Sequence, residues 1–130
     1  PSVCPPIPPP PHRKISRVAR QTERHVSWEY LRAQDAILKL KDIQVKSIPE
    51  QIIGLEITSD STELPQFQID QHYREIHLLL GNEKEGLHAD FLSLCQKCVH
   101  ILMQGQNSSM NVSMAAGISA YQIVQQLDNR

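Results

Sequence analysis

The stretch that decides the reading is GQNSSMNVSMAAG, residues 105–117, which joins a short apolar run to a long helical pattern. A helix needs one Ser, Thr, Asp or Asn to cap its first turn. Here Ser108, Ser109 and Asn111 stand together behind Gly105, Gln106 and Asn107. That surplus of hydrogen-bonding groups points to a site as well as to a cap.

Outward from it, CVHILM (98–103) has the length of a strand, and HADFLSLCQK (88–97) before it reads as a helix. EIHLLLG (75–81) is a second strand, followed by the glycine-flanked GNEKEG. QIIGLEIT (51–58) is a third, ended by the turn-prone SDST. ELPQFQID between them is irregular, with room for one helical turn. LRAQDAILKLKDI (31–43) places Leu31, Ala33, Ile37, Leu38 and Leu40 on one broad apolar face, which predicts an amphipathic helix. VSWEY (26–30) is a connector, and MNVSMAAGISAYQIVQQL (110–127) is the final helix. Strands alternating with helices predict an α/β fold, a parallel sheet flanked by helices.

Ligands in such sheets bind beyond the carboxyl ends of the strands. Three stretches occupy those ends here, ITSDST, GNEKEGL and MQGQNSSMN, and all are rich in glycine or small polar residues. GNEKEG is neither a phosphate loop of the GxxxxGK[ST] type nor the opening of GxGxxG. Its glycines instead permit positive φ and close approach of backbone to a ligand. Glu83 and Glu85 are candidate general bases, or simply solvated carboxylates beside a turn.

At 130 residues, 40% hydrophobic and 21% charged with a net charge of −1, the chain has the balance of one ordinary globular domain. It is no polycation, so any nucleic-acid contact must be local. The local patch is the predicted helix HRKISRVARQTERH (12–25), where Arg13, Arg17, Arg20 and Arg24 form a stripe beside His12 and Lys14, opposite Ile15, Val18 and Ala19. Phosphate contacts from it would give salt-sensitive RNA affinity; a solvated helix face is the alternative. No apolar run approaches a membrane span. Cys4, Cys95 and Cys98 are an odd set that suits a reducing, cytoplasmic interior. Cys95 and Cys98 have CxxC spacing without a second pair, so two half-buried thiols are expected, and no metal. His72, His77, His88 and His100 are scattered, without metal spacing, and read as structural or exposed. Seven of the first eleven residues are proline, which predicts an extended linker over 1–11 that cannot start a sheet.

HLLLGNEKEGLHADFLSLCQKCVHILMQGQNSSMNVSMAAGISAYQIV resembles the second and third blocks of the SpoU/TrmH branch of the SPOUT RNA methyltransferases. In those proteins a strand ends in LGNE-x-x-G, a helix ends near LC, a strand ends near IPM, and G-x-x-x-S-L-N-V-S opens a small-residue helix. The resemblance covers roughly residues 51–127, and assigns residues 12–130 to a SpoU-type domain. It implies a C-terminal trefoil knot, a homodimer, and methyl transfer from S-adenosylmethionine to a ribose 2′-hydroxyl of tRNA or rRNA.

Residue by residue, the resemblance sets the cofactor against Leu55 to Thr58, Leu80, Gly81, Ile101 to Met103, Ser109 and Met110. Asn111, Ser109 and Glu83 become the catalytic candidates, with Asn111 holding the ribose or the target phosphate. Asn82 and Glu83 shape their loop and approach the RNA or the other subunit. Ser108 or Ser109 caps the last helix, and Ser113, Ala115, Ala116 and Gly117 let it pack closely. Two departures matter. IPM reads Ile101-Leu102-Met103, and the family's first block, an Asn followed by a glycine-containing run and an Arg, is absent. The domain therefore reads as truncated at its start, and the chain is expected to be inactive or nearly so alone. Alignment of nucleophile and methyl can supply ~7–11 kcal/mol, but a sugar hydroxyl also calls for a base or cation worth roughly 10²–10⁴-fold. A noncatalytic RNA-binding, dimerising module and an unrelated nucleotide-binding α/β domain are the rivals.

Overall fold

The computed structural model describes residues 2–3, 25–45, 49–104 and 110–129. The arginine stripe Arg13–Arg24, Cys4, Ser108 and Ser109 lie outside them. The chain divides into two compact units at Asp42 and Ile43.

In the first unit β1 (Ser2–Val3) pairs in parallel with β2 (Glu29–Tyr30). This corrects the expectation that the proline-rich opening cannot enter a sheet. Ser2 and Val3 precede the proline run and keep the backbone N–H that a ladder needs. Helix α1 (Ala33–Val45) follows. Arg32 Nε donates to Asp35 Oδ2 at 2.8 Å in front of its first turn. Ala36, Leu40 and Ile43 are its buried stripe, spaced four and three apart, whereas Leu38 is exposed.

The second unit carries the sheet. β3 (Glu50–Leu55), β4 (Thr62–Glu63), β5 (Glu75–Leu80) and β6 (Lys97–His100) are all parallel, in the order β4-β6-β3-β5. β4 runs into a 3-10 turn, Leu64–Gln66, where one helical turn was expected. Helix α2 (Ala89–Leu92) and helix α3 (Val112–Asp128) complete the unit.

Successive side chains of a strand point to opposite faces, and both faces of β3 are covered. Ile53 joins the core of Leu64, Phe67, Ile69, Val99 and Ile123, the last of these from α3. A Cβ on the neighbouring Gly54 would lie 2.9 Å from Cys95 Sγ and 3.3 Å from Leu87 Cδ2, so the Leu87–Cys95 segment covers the other face. Glutamines of α3 lock it down: Gln126 Nε2 donates to the Phe67 carbonyl at 2.9 Å, and its Oε1 accepts the Ile69 N–H at 2.8 Å.

Besides β3, which ends at Leu55 and not at Thr58, two elements are shorter than their apolar patterns predict. The helix expected over 88–97 is a single turn, because Gln96 is drawn to β3: its N–H donates to the Ile52 carbonyl at 2.9 Å and its Oε1 accepts the Ile52 N–H. The strand expected to reach Met103 stops at His100. Its neighbours have run out there, since Leu55 pairs with Val99 and Glu63 with His100. A strand without a partner leaves its backbone groups unmatched, so Ile101–Met103 leaves the sheet.

Candidate functional site

The register aligns Leu55 with Leu80 and with Val99, so β3, β5 and β6 end side by side. These are the carboxyl ends of parallel strands, beyond which open α/β sheets bind their ligands. A cavity of about 260 Å³ opens there, near the lower limit for small-molecule sites. Leu55, Glu56 and Ile57 line it from β3, Leu80, Gly81, Asn82, Glu83 and Gly86 from the loop after β5, and His100, Ile101 and Met103 from the exit of β6. Met110, Val112 and Ala115 close it from the start of α3.

The loop after β5 is the best-braced wall. Asn82 Oδ1 accepts the N–H groups of Lys84 and Glu85 at 2.9 and 2.8 Å, and backbone bonds of 3.1 and 3.0 Å pair Asn82 with Gly86. Gly86 sits at φ 69°, where L side chains are strained. Gly81 serves a different need, close approach: a Cβ there would lie 2.0 Å from the Gly86 carbonyl carbon. From β3, Glu56 Oε2 accepts the Leu87 N–H at 2.8 Å and Oε1 the Ile57 N–H at 3.0 Å. One carboxylate thus ties the exit of one strand to the far end of the next strand's loop.

Of the expected cofactor residues, Leu55, Leu80, Gly81, Ile101, Met103 and Met110 come together on the cavity wall. Thr58 does not line it: β3 ends three residues earlier, and the Thr58 hydroxyl donates to Asp60 Oδ1 at 2.9 Å inside a turn. Ser109 lies outside the described residues. Glu83 and Asn82 are on the wall, and Asn111 Nδ2 is 3.4 Å from Glu83 Oε1. Asn111 itself caps α3, its Oδ1 accepting from Ser113 N at 2.9 Å and from Ser113 Oγ at 2.6 Å. The cap expected from Ser108 or Ser109 is therefore Asn111. Gly117, expected to pack closely, has open space around it.

Two polar wall residues were not singled out by the sequence. Glu56, immediately after β3, falls inside the Leu55 to Thr58 stretch set against the cofactor but had no role of its own. His100, read as structural or exposed, reaches the wall where β6 ends, and its Nδ1 is 3.0 Å from Ser61 Oγ. That contact joins residues 39 apart and had no signal in the sequence. Cys95 and Cys98 are half-buried, as expected. Burial and the neighbouring Cys98 push the Cys95 thiol up to about 12, and burial raises Cys98 as well. Both are protonated at neutral pH and poor nucleophiles.

A parallel α/β sheet with a small cavity beyond its strand ends is an architecture that places ligands at those ends. The SpoU rRNA Methylase family model matches residues 8–121, and the chain belongs to that family. It is 33% identical over 75 residues to the mouse tRNA (guanosine(18)-2′-O)-methyltransferase TARBP1, covering 58% of this chain and 5% of that protein. It is 25% identical over 109 residues to the tRNA (guanosine(18)-2′-O)-methyltransferase of Aquifex aeolicus, covering 84% of this chain and 50% of the relative. The chain thus spans half or less of these relatives. Among solved structures, the SpoU methyltransferase AviRb from Streptomyces viridochromogenes, in complex with the cofactor AdoMet, superposes with a TM-score of 0.81 at 22% identity, over 99% of this chain and 50% of AviRb. The A. aeolicus TrmH/SpoU tRNA modifying enzyme gives 0.70 at 22%, over 88% and 54%. The α/β fold with its parallel sheet is shared with these solved structures.

Proposed function

We propose that the second unit holds S-adenosylmethionine in this cavity and serves methyl transfer to a ribose 2′-hydroxyl of tRNA or rRNA. The observation that carries the reading is the chemistry of the wall. Leu55, Leu80, Ile101, Met103 and Met110 are apolar, Glu56 and Glu83 are acidic, and no lysine or arginine lines the cavity among the described residues. Such a wall suits an adenine ring beside a cationic sulfonium. It opposes the phosphates of ATP or NAD, because like charges at short range raise the energy where little water screens them.

S-adenosylmethionine supplies an activated methyl group when bound. The chain's own contribution is to hold and orient. Apolar side chains exclude water around the base, and the exposed amides of the braced loop offer backbone partners. Asn111 steadies Glu83, and Glu83 and His100 are the wall groups able to accept a proton from a hydroxyl. Ser109 would lie beside Met110 in the same role of contacting the cofactor. The expected trefoil knot would thread the C-terminal part of the chain, which ends in α3.

That no lysine or arginine stands among the described wall residues also bears on turnover. The chain alone is expected to bind the cofactor yet methylate RNA slowly, with a basic group supplied by further protein or a second copy. A noncatalytic RNA-binding module would retain binding and show no transfer at all. A second copy fits α3, where Met114, Ile118 and Tyr121 are 61%, 42% and 69% exposed along one stripe. Arg13, Arg17, Arg20 and Arg24, with Asn82, are the proposed RNA contacts.

Calorimetry with S-adenosylhomocysteine, ATP and NAD tests the reading. The expected result is saturable binding of S-adenosylhomocysteine alone; preferential binding of ATP or NAD would overturn it.

A further inference from the structure

At the end of the sheet opposite the cavity, β3 and β5 begin side by side. The register pairs Glu50 with Glu75 and Ile52 with His77. Side chains two apart share a face, so Glu50, Glu75 and His77 project from the same one. His77 Nε2 lies 2.7 Å from Glu50 Oε2 and 3.9 Å from Glu75 Oε1, and the three groups offer ligand atoms all within 4.8 Å of one another. Nothing in the cofactor reading uses them.

The burial is graded. The Glu50 side chain is only 9% exposed, His77 25% and Glu75 65%. A carboxylate so far from water calls for positive charge beside it. Among the described residues its only ion-pair partner is His77.

We propose that Glu50, Glu75 and His77 form a binding site for a divalent transition-metal ion such as Zn²⁺. Bonds of about 2.0–2.2 Å to imidazole nitrogen and carboxylate oxygen set neighbouring donor atoms roughly 3.4 Å apart in a tetrahedron. The His77–Glu50 separation therefore opens slightly on binding and the His77–Glu75 separation closes. Both changes fall within rotation of glutamate side chains on a fixed pair of strands. Three protein ligands leave a fourth position to water, open on the exposed Glu75 side. One imidazole with two carboxylates suits zinc, manganese or iron; magnesium and calcium take mostly oxygen. The ion would tie the first residues of the edge strand β5 to those of β3. The sequence hid the site because Glu50 and His77 are 27 residues apart, and only the parallel register brings them together.

The full chain, stripped with chelator and titrated with Zn²⁺ and Mn²⁺ by calorimetry, tests this. One ion per chain is expected, with a raised melting temperature. Glu75→Gln, at an exposed position that leaves the core intact, and His77→Gln should each weaken affinity at least tenfold. Substituted Co²⁺ should show no thiolate charge-transfer band. The site is refuted by no binding up to about 1 mM, by affinity unchanged in Glu75→Gln and His77→Gln, or by a thiolate band that disappears in Cys95→Ser.

Discussion

Glu56 and Leu87, 31 residues apart, are joined by one hydrogen bond: Glu56 Oε2 accepts the Leu87 backbone N–H at 2.8 Å. A Cβ on the adjacent Gly86 would fall 2.4 Å from the same oxygen, so any other residue there would have to push the carboxylate aside. The exit of β3 thus fixes the far end of the loop that forms one cavity wall.

Replacing Glu56 by Gln keeps the shape and removes the charge. Charge-assisted bonds to backbone amides are the stronger kind, and the loss should cost about 1–2 kcal/mol. Urea unfolding measures it. Hydrogen exchange at Leu87 and Ile57 should accelerate, while that of Val99, in the centre of the core, should follow the global change only.

Two glycines should respond in opposite directions. Gly81→Ala drives a Cβ into the backbone at Gly86 and Leu87, 2.0 and 2.2 Å away, where nothing can rotate aside. It should destabilise by about 1–3 kcal/mol and weaken S-adenosylhomocysteine binding at least tenfold. Gly117→Ala meets open space inside α3, and should stabilise by up to about 1 kcal/mol. Thermal melts of the two variants, with calorimetry for the first, check both.

Cys95 and Cys98 should resist alkylation at pH 7 and react faster as pH rises. A thiol whose folded pKa is raised favours folding below the unfolded pKa, near 8.5, because the folded state keeps its proton. That contribution falls as pH rises from there towards the folded value of about 12 for Cys95. Mass mapping of iodoacetamide adducts between neutral and alkaline pH, alongside urea midpoints, reads both effects. Rapid modification of Cys95 at neutral pH would contradict its burial.

The apolar stripe of α3 bears on assembly. If a second copy covers Met114, Ile118 and Tyr121, Ile118→Asp should convert a dimer to a monomer in sedimentation velocity, with little change in monomer stability because the side chain is exposed. A sedimentation coefficient unchanged by the substitution would remove this face from the interface.

The central strand β3 was legible because it is buried. Ile52 and Ile53 lie in a run without charge, as a strand covered on both faces requires. Apolar character also misled: Leu102 and Met103 extend the pattern past the last partner strand, and hydropathy does not record where pairing stops. Thr62–Glu63 forms an edge strand too short to pattern. The cavity was legible as a set of run ends, since Leu55, Leu80 and Met103 each close an apolar run and each line the wall. Its bracing was not. Glu56 on Leu87, Ser61 on His100 and Asn111 on Glu83 join residues 31, 39 and 28 apart, and parallel strands bring such residues together only through long crossovers. Asn111 shows the limit of motif reading: the polar surplus before α3 marked the correct place, yet this asparagine is first of all the cap.

A crystal structure of the chain with S-adenosylhomocysteine tests the central claim most directly. The adenosine is expected against Leu80, Gly81 and Ile101–Met103, with the sulfur near Glu83 and the start of α3. Density for the ligand elsewhere on the chain, with this cavity empty at saturating concentration, would contradict it.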